Sequence, residues 1–373
     1  MIKRLVKQCI MKVYFPLYYR VCARKKVKEN SVLFIEVRLE SLSNNFTLLN
    51  KYFSHKNGFE VKTHYLYNGR VSEMAYLSRC KKMLKDLATS KYVFLNEGSN
   101  VVSVLPLRKE TKLIQTWHGC GAFKKFGHSL EKELRDPFYR NYSMVTVSSP
   151  EVVWAYREAM QVDSKVIKPI GVSRTDIYFN EEFIADAKRR VRETFQVGTK
   201  KLLLYAPTFR GETHKATEKN ILDFKFLYEK LSKDYVLILK YHPVIQNDIH
   251  IPKEYRSFVK NNENEFTIEQ LLCASDICIS DYSSLVFEYS LLERPMIFYA
   301  YDEEEYVTDR GFYYDYREFV PGPIVKNNEE LANTILNADS FDLSKVKAFR
   351  NKFMSSCDGN STKRIIEQVL QEE

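Results

Sequence analysis

The chain lacks the short signatures that would settle its chemistry outright. Its 373 residues contain no Gly-x-x-x-x-Gly-Lys-Ser/Thr loop, which excludes a P-loop nucleotide hydrolase. They contain no Asp-x-Asp motif and no metal-ligand spacing, and His118 and His128 stand too far apart to read as a ligand pair. Seven cysteines are scattered without a Cys-x-x-Cys pair. An odd count without framework spacing is expected of reduced thiols in a cytoplasmic protein, with Cys273 and Cys278 in the core. No apolar run approaches the ~20 residues that span a bilayer. Neither an internal repeat nor a low-complexity linker occurs.

Acid is missing from residues 1–28, where Lys3, Arg4, Lys7, Lys12, Arg20, Arg24, Lys25, Lys26 and Lys28 supply all the charge. These nine match the net charge of +9 of the whole chain, so residues 29–373 balance. The basic character is therefore an N-terminal appendage. Lys12 and Arg20 break its apolar stretches and no small-residue cleavage site follows, so it does not read as a secretory signal. Ile2, Leu5, Val6, Cys9, Ile10, Val13 and Leu17 recur at helical spacing between the basic residues. That pattern predicts a basic amphipathic helix in the headgroup region of an anionic membrane. A helix docked on the core, or an arm for nucleic acid, would carry the same pattern.

What the chain has in quantity is apolar and aromatic residues: 45% hydrophobic, with 25 Tyr and 24 Phe. That excludes wholesale disorder, and the tyrosines read chiefly as packing. Val32–Val37, Lys91–Leu95, Lys112–Thr116 and Met144–Val147 read as strands. Ser149-Pro150-Glu151 then gives an N-cap, a first-turn proline and an acid, opening a helix to about Met160. Residues 180–200 are charge-rich and helical in pattern. The strand pattern restarts at Lys201–Tyr205, Tyr235–Leu239, Ile277–Ile279 and Met296–Tyr299, with helices at Phe224–Ser232 and Thr267–Ala274 between. Strands alternating with helices predict parallel sheets. The expected fold is α/β: two doubly wound domains facing a cleft. The expected divisions are a membrane-surface segment (1–28), an acceptor-side domain (29–190) and a donor-binding domain (191–373).

Four segments end such strands, where open α/β sheets bind ligands. His118 precedes Gly119-Cys120-Gly121, glycines that let a ligand approach the backbone. Its imidazole suits a general base or a bond to a carbonyl. Cys120 offers a nucleophile that phosphate chemistry does not need. Lys124 and Lys125 would meet an anion or water. Thr208 and Arg210 follow a proline turn, and an arginine fork fits phosphate oxygens. The alternative is a surface arginine. His242, fixed by Pro243, would donate to a phosphoryl oxygen or protonate a leaving group. Asp281, Ser283 and Ser284 open a helix expected to reach Glu293. Hydroxyls, backbone N–H groups and the helix dipole together suit an anion, although Asp281 and Ser283 would equally cap that helix.

Together these segments resemble the CDP-glycerol glycerophosphotransferase family of teichoic-acid synthesis. The resemblance runs over Gln115–Gly127, Tyr205–Arg210, Leu239–Pro243, Ser280–Tyr289, Arg294–Tyr299, Arg310–Tyr313 with Val320–Pro323, and Asp358–Ser361. It covers roughly residues 30–370, and Ser173 departs from it where proline is expected. It implies a glycosyltransferase-B-like fold and no cofactor. The implied reaction moves glycerol phosphate or ribitol phosphate from CDP-glycerol or CDP-ribitol to a hydroxyl of a polyprenyl-diphosphate-linked saccharide, releasing CMP. His118 and His242 would be catalytic. Arg210, Ser283, Ser284, Thr208 and Gly119 would bind the donor, with Asp281 and Glu288 orienting the site or holding hydroxyls. The implied location is peripheral, on the cytoplasmic face of the cell membrane, with no nucleic-acid partner. The modest length leans towards adding one or a few units. A sugar-nucleotide glycosyltransferase of the same fold and a non-catalytic membrane-surface protein are the rival readings.

Overall fold

The computed structural model describes residues 2–69, 71–130, 139–210, 221–241 and 249–371. The chain forms two compact units, Met1–Asp176 with Ser355–Glu373, and Ile177–Met354. The division falls at 176/177 where the sequence suggested 190/191, and the C-terminal helix Ser361–Gln371 belongs to the first unit.

The first unit holds a six-stranded sheet built from β1 (Lys28–Glu36), β2 (Glu60–Tyr65), β3 (Ser90–Leu95), β4 (Lys112–Gln115), β5 (Met144–Thr146) and β6 (Ile167–Lys168). Its order is β2-β1-β3-β4-β5-β6, and every pairing is parallel. β1 ends in an unbroken buried run, because helices cover both faces. Phe34 stacks on Phe94 at 5.0 Å, and Phe46 and Phe53 close the layer above. Ile365, Ile366 and Val369 of the C-terminal helix join the same core.

The second unit repeats the scheme with β7 (Lys201–Tyr205), β8 (Tyr235–Leu239), β9 (Val259–Asn261), β10 (Ile277–Ser280), β11 (Met296–Tyr299) and β12 (Ile324–Val325). The order is β12-β11-β10-β7-β8-β9, again parallel throughout. Chain order reverses between β1 and β3 in the first sheet and between β7 and β10 in the second. Such reversals open a crevice at the carboxyl ends of the strands.

Three expected helices differ in extent. The one after Ser149 begins as a 3-10 turn, Pro150–Val152, before the α-helix Val153–Met160. The charge-rich helix is Glu181–Thr194. The helix after Asp281 is the short Leu285–Ser290, not an element reaching Glu293.

The N-terminal appendage is helical from Ile2 to Cys22, with a π-helical stretch at Ile10–Tyr14. Its second half docks: Phe15 and Tyr19 are buried, and the Tyr19 hydroxyl accepts the Arg108 N–H at 3.3 Å. Leu5, Val6, Val13, Leu17 and Val21 stay exposed. The segment thus has both a docked face and an outward apolar one. No described helix is long and apolar enough to cross a membrane.

Candidate active site

In the first unit the residues of interest gather at the carboxyl ends of β1, β3 and β4. Nδ1 of His118 lies 2.9 Å from Oε1 of Glu97, whose side chain is 7% exposed while the imidazole is 38% exposed. The contact is an electrostatic pairing rather than a straight hydrogen bond. Arg38 reaches the same Oε1 at 3.0 Å from solvent. The loop behind the histidine is rigidly tied. Gln115 donates to the Glu97 carbonyl at 3.0 Å and accepts the Trp117 N–H at 2.9 Å. Trp117 itself sits at φ 56°. A left-handed bulky residue is strained, and such strain gathers at functional sites. The Trp117 indole packs 4.3 Å from the His118 ring and is walled by Phe126 and Tyr156.

Gly121, at φ 63°, turns the chain just after the histidine. Tyr156 donates to the Gly121 carbonyl at 3.1 Å, and the Gly121 N–H reaches Ser148 at 3.1 Å. Arg174 donates to the His118 carbonyl at 2.7 Å. Cys120 is buried, and desolvation pushes its thiol up to about 12, which removes it as a nucleophile near neutrality. Next to this site, Glu36 at the end of β1 accepts the Ser43 N–H at 2.6 Å and Asn96 at 2.7 Å, a buried polar knot at the topological switch.

In the second unit the switch point carries Thr208 and Arg210 after β7 and Asp281 to Ser284 after β10. Asp281 organises the loop pair. Its Oδ1 accepts the Thr208 N–H (2.8 Å), the Thr208 hydroxyl (3.0 Å) and the Tyr282 N–H (2.6 Å). Its Oδ2 lies 3.0 Å from Arg210. Burial pushes the Asp281 carboxyl up, against the pull of Arg210 and these donors. The Arg210 fork closes on Asp302, past the end of β11, at 2.6 and 2.9 Å. Its third arm bonds the Thr208 carbonyl at 2.6 Å, and Tyr282, Tyr301 and Tyr306 enclose the guanidinium. Burial disfavours the cation, but Asp302 and Asp281 more than offset this and raise its pKa. Arg210 is thus held inward by two carboxylates rather than presented as a bare fork.

Ser283 and Ser284 are half-buried in the β10 loop. The Ser283 hydroxyl accepts the Leu285 N–H at 3.3 Å, which leaves its proton available to donate. Ser284 makes no side-chain cap. Glu288 is buried within the helix that follows. Lys240 is half-buried with its ammonium pKa lowered by desolvation, and donates to Asn264 at 3.2 Å. His242 lies outside the described residues.

Sequence reasoning missed Glu97, Arg174 and Asp302. Glu97 and Asp302 each stand within three residues of a strand's carboxyl end, which is the signal that would have found them. The Asp358–Ser361 motif serves the fold of the first unit. Asp176 accepts the N–H groups of Ser361 (3.0 Å) and Thr362 (2.7 Å), capping the C-terminal helix. Ser173, in place of the expected proline, bonds Thr362 at 2.8 Å. Asp358 grips Arg364 at 2.8 and 2.9 Å.

The chain is 33% identical to the teichoic acid ribitol-phosphate primase of Bacillus spizizenii, over 98% of this chain and 97% of that protein. It is 33% identical to the teichoic acid poly(ribitol-phosphate) polymerase of the same organism, covering 95% of this chain but only 58% of the polymerase. The teichoic acid glycerol-phosphate primase of Bacillus subtilis is 34% identical over 74% of this chain and 72% of its own. The solved wall teichoic acid polymerase TagF superposes with a TM-score of 0.80 at 23% identity, over 99% of this chain and 96% of that chain, which places the fold in the glycosyltransferase-B-like class. The family model for CDP-glycerol:poly(glycerophosphate) glycerophosphotransferases matches residues 17–371, and the chain belongs to that family of teichoic-acid transferases.

Proposed function

We propose that the protein transfers glycerol phosphate or ribitol phosphate from a CDP-polyol to a hydroxyl of a polyprenyl-diphosphate-linked saccharide. The observation that carries the reading is the half-exposed imidazole of His118 backed at 2.9 Å by the buried carboxylate of Glu97. A base for a neutral hydroxyl needs a proton acceptor held in place, and an imidazole against a carboxylate supplies one. The acceptor oxygen attacks the phosphorus that carries the polyol, His118 takes the hydroxyl proton, and the bond to CMP breaks with its electron pair on the departing phosphate. Phosphoryl-type transfer depends chiefly on positioning and charge stabilisation. Ser283 and Ser284 would donate to donor phosphate oxygens, and the Thr208 loop would be fixed for that task by Asp281. Arg210, paired with Asp302 and Asp281, would brace this loop from behind. His242 would stabilise the leaving phosphate.

The nine basic charges of residues 1–28 would hold the protein on an anionic inner leaflet, where a lipid-linked acceptor resides. Each contributes about 1 kcal/mol at such a surface, screened by salt. The test is incubation with radiolabelled CDP-glycerol, CDP-ribitol and UDP-sugars in the presence of a lipid-linked disaccharide. Release of CMP with polyol phosphate on the lipid supports the reading, and UDP release with sugar transfer overturns it. His118→Ala and His242→Ala should each lower turnover by ~10²-fold or more. Co-sedimentation of Lys7→Glu/Lys12→Glu/Arg20→Glu with anionic vesicles should fall well below that of the unchanged chain.

A further inference from the structure

A groove of about 590 Å³ runs between the N-terminal helix and the helix Glu73–Leu87, lined by Val6, Ile10, Met11, Phe15, Tyr76 and Leu77. At Leu77 it meets a second pocket of about 360 Å³, whose rim carries Lys81, Lys82 and Lys85 on the same helix. One element thus offers an apolar trough and a cluster of three ammonium groups in series. Leu77, Lys81 and Lys85 fall at i, i+4 and i+8, so one helix face carries all three over about 12 Å. Tyr18, below the Lys81 ammonium at 5.7 Å, closes the second pocket from the N-terminal helix.

The π-helical stretch Ile10–Tyr14 lies along the trough. Ile10 and Met11 lie within it, and Phe15 and Tyr19 pack tightly just beyond it. A π turn shifts the register of the side chains that follow. The helix therefore docks through its second half and leaves its first half standing off Glu73–Leu87. Val13, Leu17 and Val21 form an exposed apolar stripe on the helix's outer side. An apolar trough ending in lysines, beside an outward apolar stripe, matches one kind of ligand: a lipid with an anionic phosphate head.

Resting on the membrane reading above, we infer that this groove is a discrete binding site for one anionic phospholipid of the bilayer. An acyl chain lies along Val6, Ile10, Met11 and Leu77, and the phosphate sits at Lys81, Lys82 and Lys85. Apolar burial gives the chain its affinity, and the lysines select the anionic head. The site would fix the depth and rotation of the first unit on the leaflet, which diffuse attraction to nine scattered charges does not do.

The experiment uses the full chain and dioctanoyl phosphatidylglycerol below its micelle concentration, so that no bilayer is needed and failure of the membrane reading is seen separately in the vesicle assay. Calorimetric titration should show saturable binding of one lipid per chain. Dioctanoyl phosphatidylcholine and inorganic phosphate should bind about tenfold more weakly or worse. Ile10→Asn/Leu77→Asn and, separately, Lys82→Glu/Lys85→Glu should each weaken binding by about tenfold. His118→Ala should leave it unchanged, which separates this site from the acceptor site. Circular dichroism and thermal melting of each variant guard against misfolding, and the surface lysine variant tests the site even if the groove variant fails to fold. Absence of saturable binding, equal affinity in the lysine variant, or loss of binding in His118→Ala would overturn the inference. Tighter binding of farnesyl diphosphate than of the phospholipid would reassign the groove to an isoprenoid lipid and overturn it equally.

Discussion

Glu97 and His118 come from the ends of neighbouring parallel strands, β3 and β4, and meet at 2.9 Å with only the histidine open to solvent. A carboxylate so placed orients the ring and stabilises the imidazolium that forms as a proton is taken up. Glu97→Gln keeps the shape and removes the charge. Its kcat should fall by about tenfold to a hundredfold while the KM for the CDP-polyol stays close to that of the unchanged enzyme. A change confined to KM would show that Glu97 serves binding rather than proton transfer.

Arg210 and Asp302 give a different prediction from the one sequence suggested. A phosphate-binding arginine on a loop can be removed without harm to the fold. This one is 18% exposed, clasped at 2.6 Å by Asp302 and at 3.0 Å by the buried Asp281. Removing one partner of a buried pair leaves uncompensated charge and costs about 3–5 kcal/mol. Arg210→Ala should therefore lower the melting temperature of the second unit as well as donor affinity. Asp302→Asn should do the same more mildly, and the double variant should recover part of the loss. Full thermal stability in Arg210→Ala would contradict the pairing.

The strands show which parts of the fold a sequence makes legible. The eight strands read from apolar runs all coincide with strands inside the two sheets. The four that escaped, β2, β6, β9 and β12, are the four edge strands. An edge strand is covered on fewer sides and needs no continuous apolar run. β2 reads Glu-Val-Lys-Thr-His-Tyr and is nowhere fully buried. The site divides in the same way. His118, Thr208 and Asp281 were legible because they follow such runs directly. Glu97 and Asp302 were not, because a lone acid past a strand end looks like any surface acid until its partner from another strand is known. The inward turn of Arg210 depends on that same long-range pairing.

Asp86 bonds Lys62 at 2.8 Å and His64 at 2.9 Å across the β2 edge of the first sheet. Burial alone would raise its carboxyl, but Lys62 and His64 hold it below the ordinary range. A depressed acid contributes stability above its unfolded pKa of about 4, and this is lost as pH falls through the lower folded value. Asp86→Asn should therefore lower stability by a constant amount above about pH 4 and converge with the unchanged chain as pH falls below it, which flattens the acid limb. Urea unfolding at several pH values would check it. A parallel downward shift at every pH would mean that packing, not charge, is what the aspartate supplies.

The C-terminal helix is fastened to the first unit by a cap and by close backbone approach, and both can be tested. Asp176 accepts two N–H groups at the start of Ser361–Gln371. Replacing such a cap by alanine costs about 0.5–2 kcal/mol. Gly171 adopts φ 98°, and an added Cβ would stand 2.3 Å from Ser361 Oγ and 2.4 Å from the Ser356 carbonyl. Gly171→Ala therefore meets both backbone strain and a clash with main chain, and should exceed the cost of Asp176→Ala. The helix supplies Ile365, Ile366 and Val369 to the core behind β1 and β4, so its release uncovers that core. Limited proteolysis should cut near residue 355 sooner in both variants, and sooner in Gly171→Ala than in Asp176→Ala. Arg174 stands between these two positions in sequence and holds the His118 carbonyl at 2.7 Å. Loosening the tail should therefore also lower turnover in proportion to the proteolytic rate. Faster cutting with undiminished turnover would show that the His118 loop is held independently of the C-terminal helix.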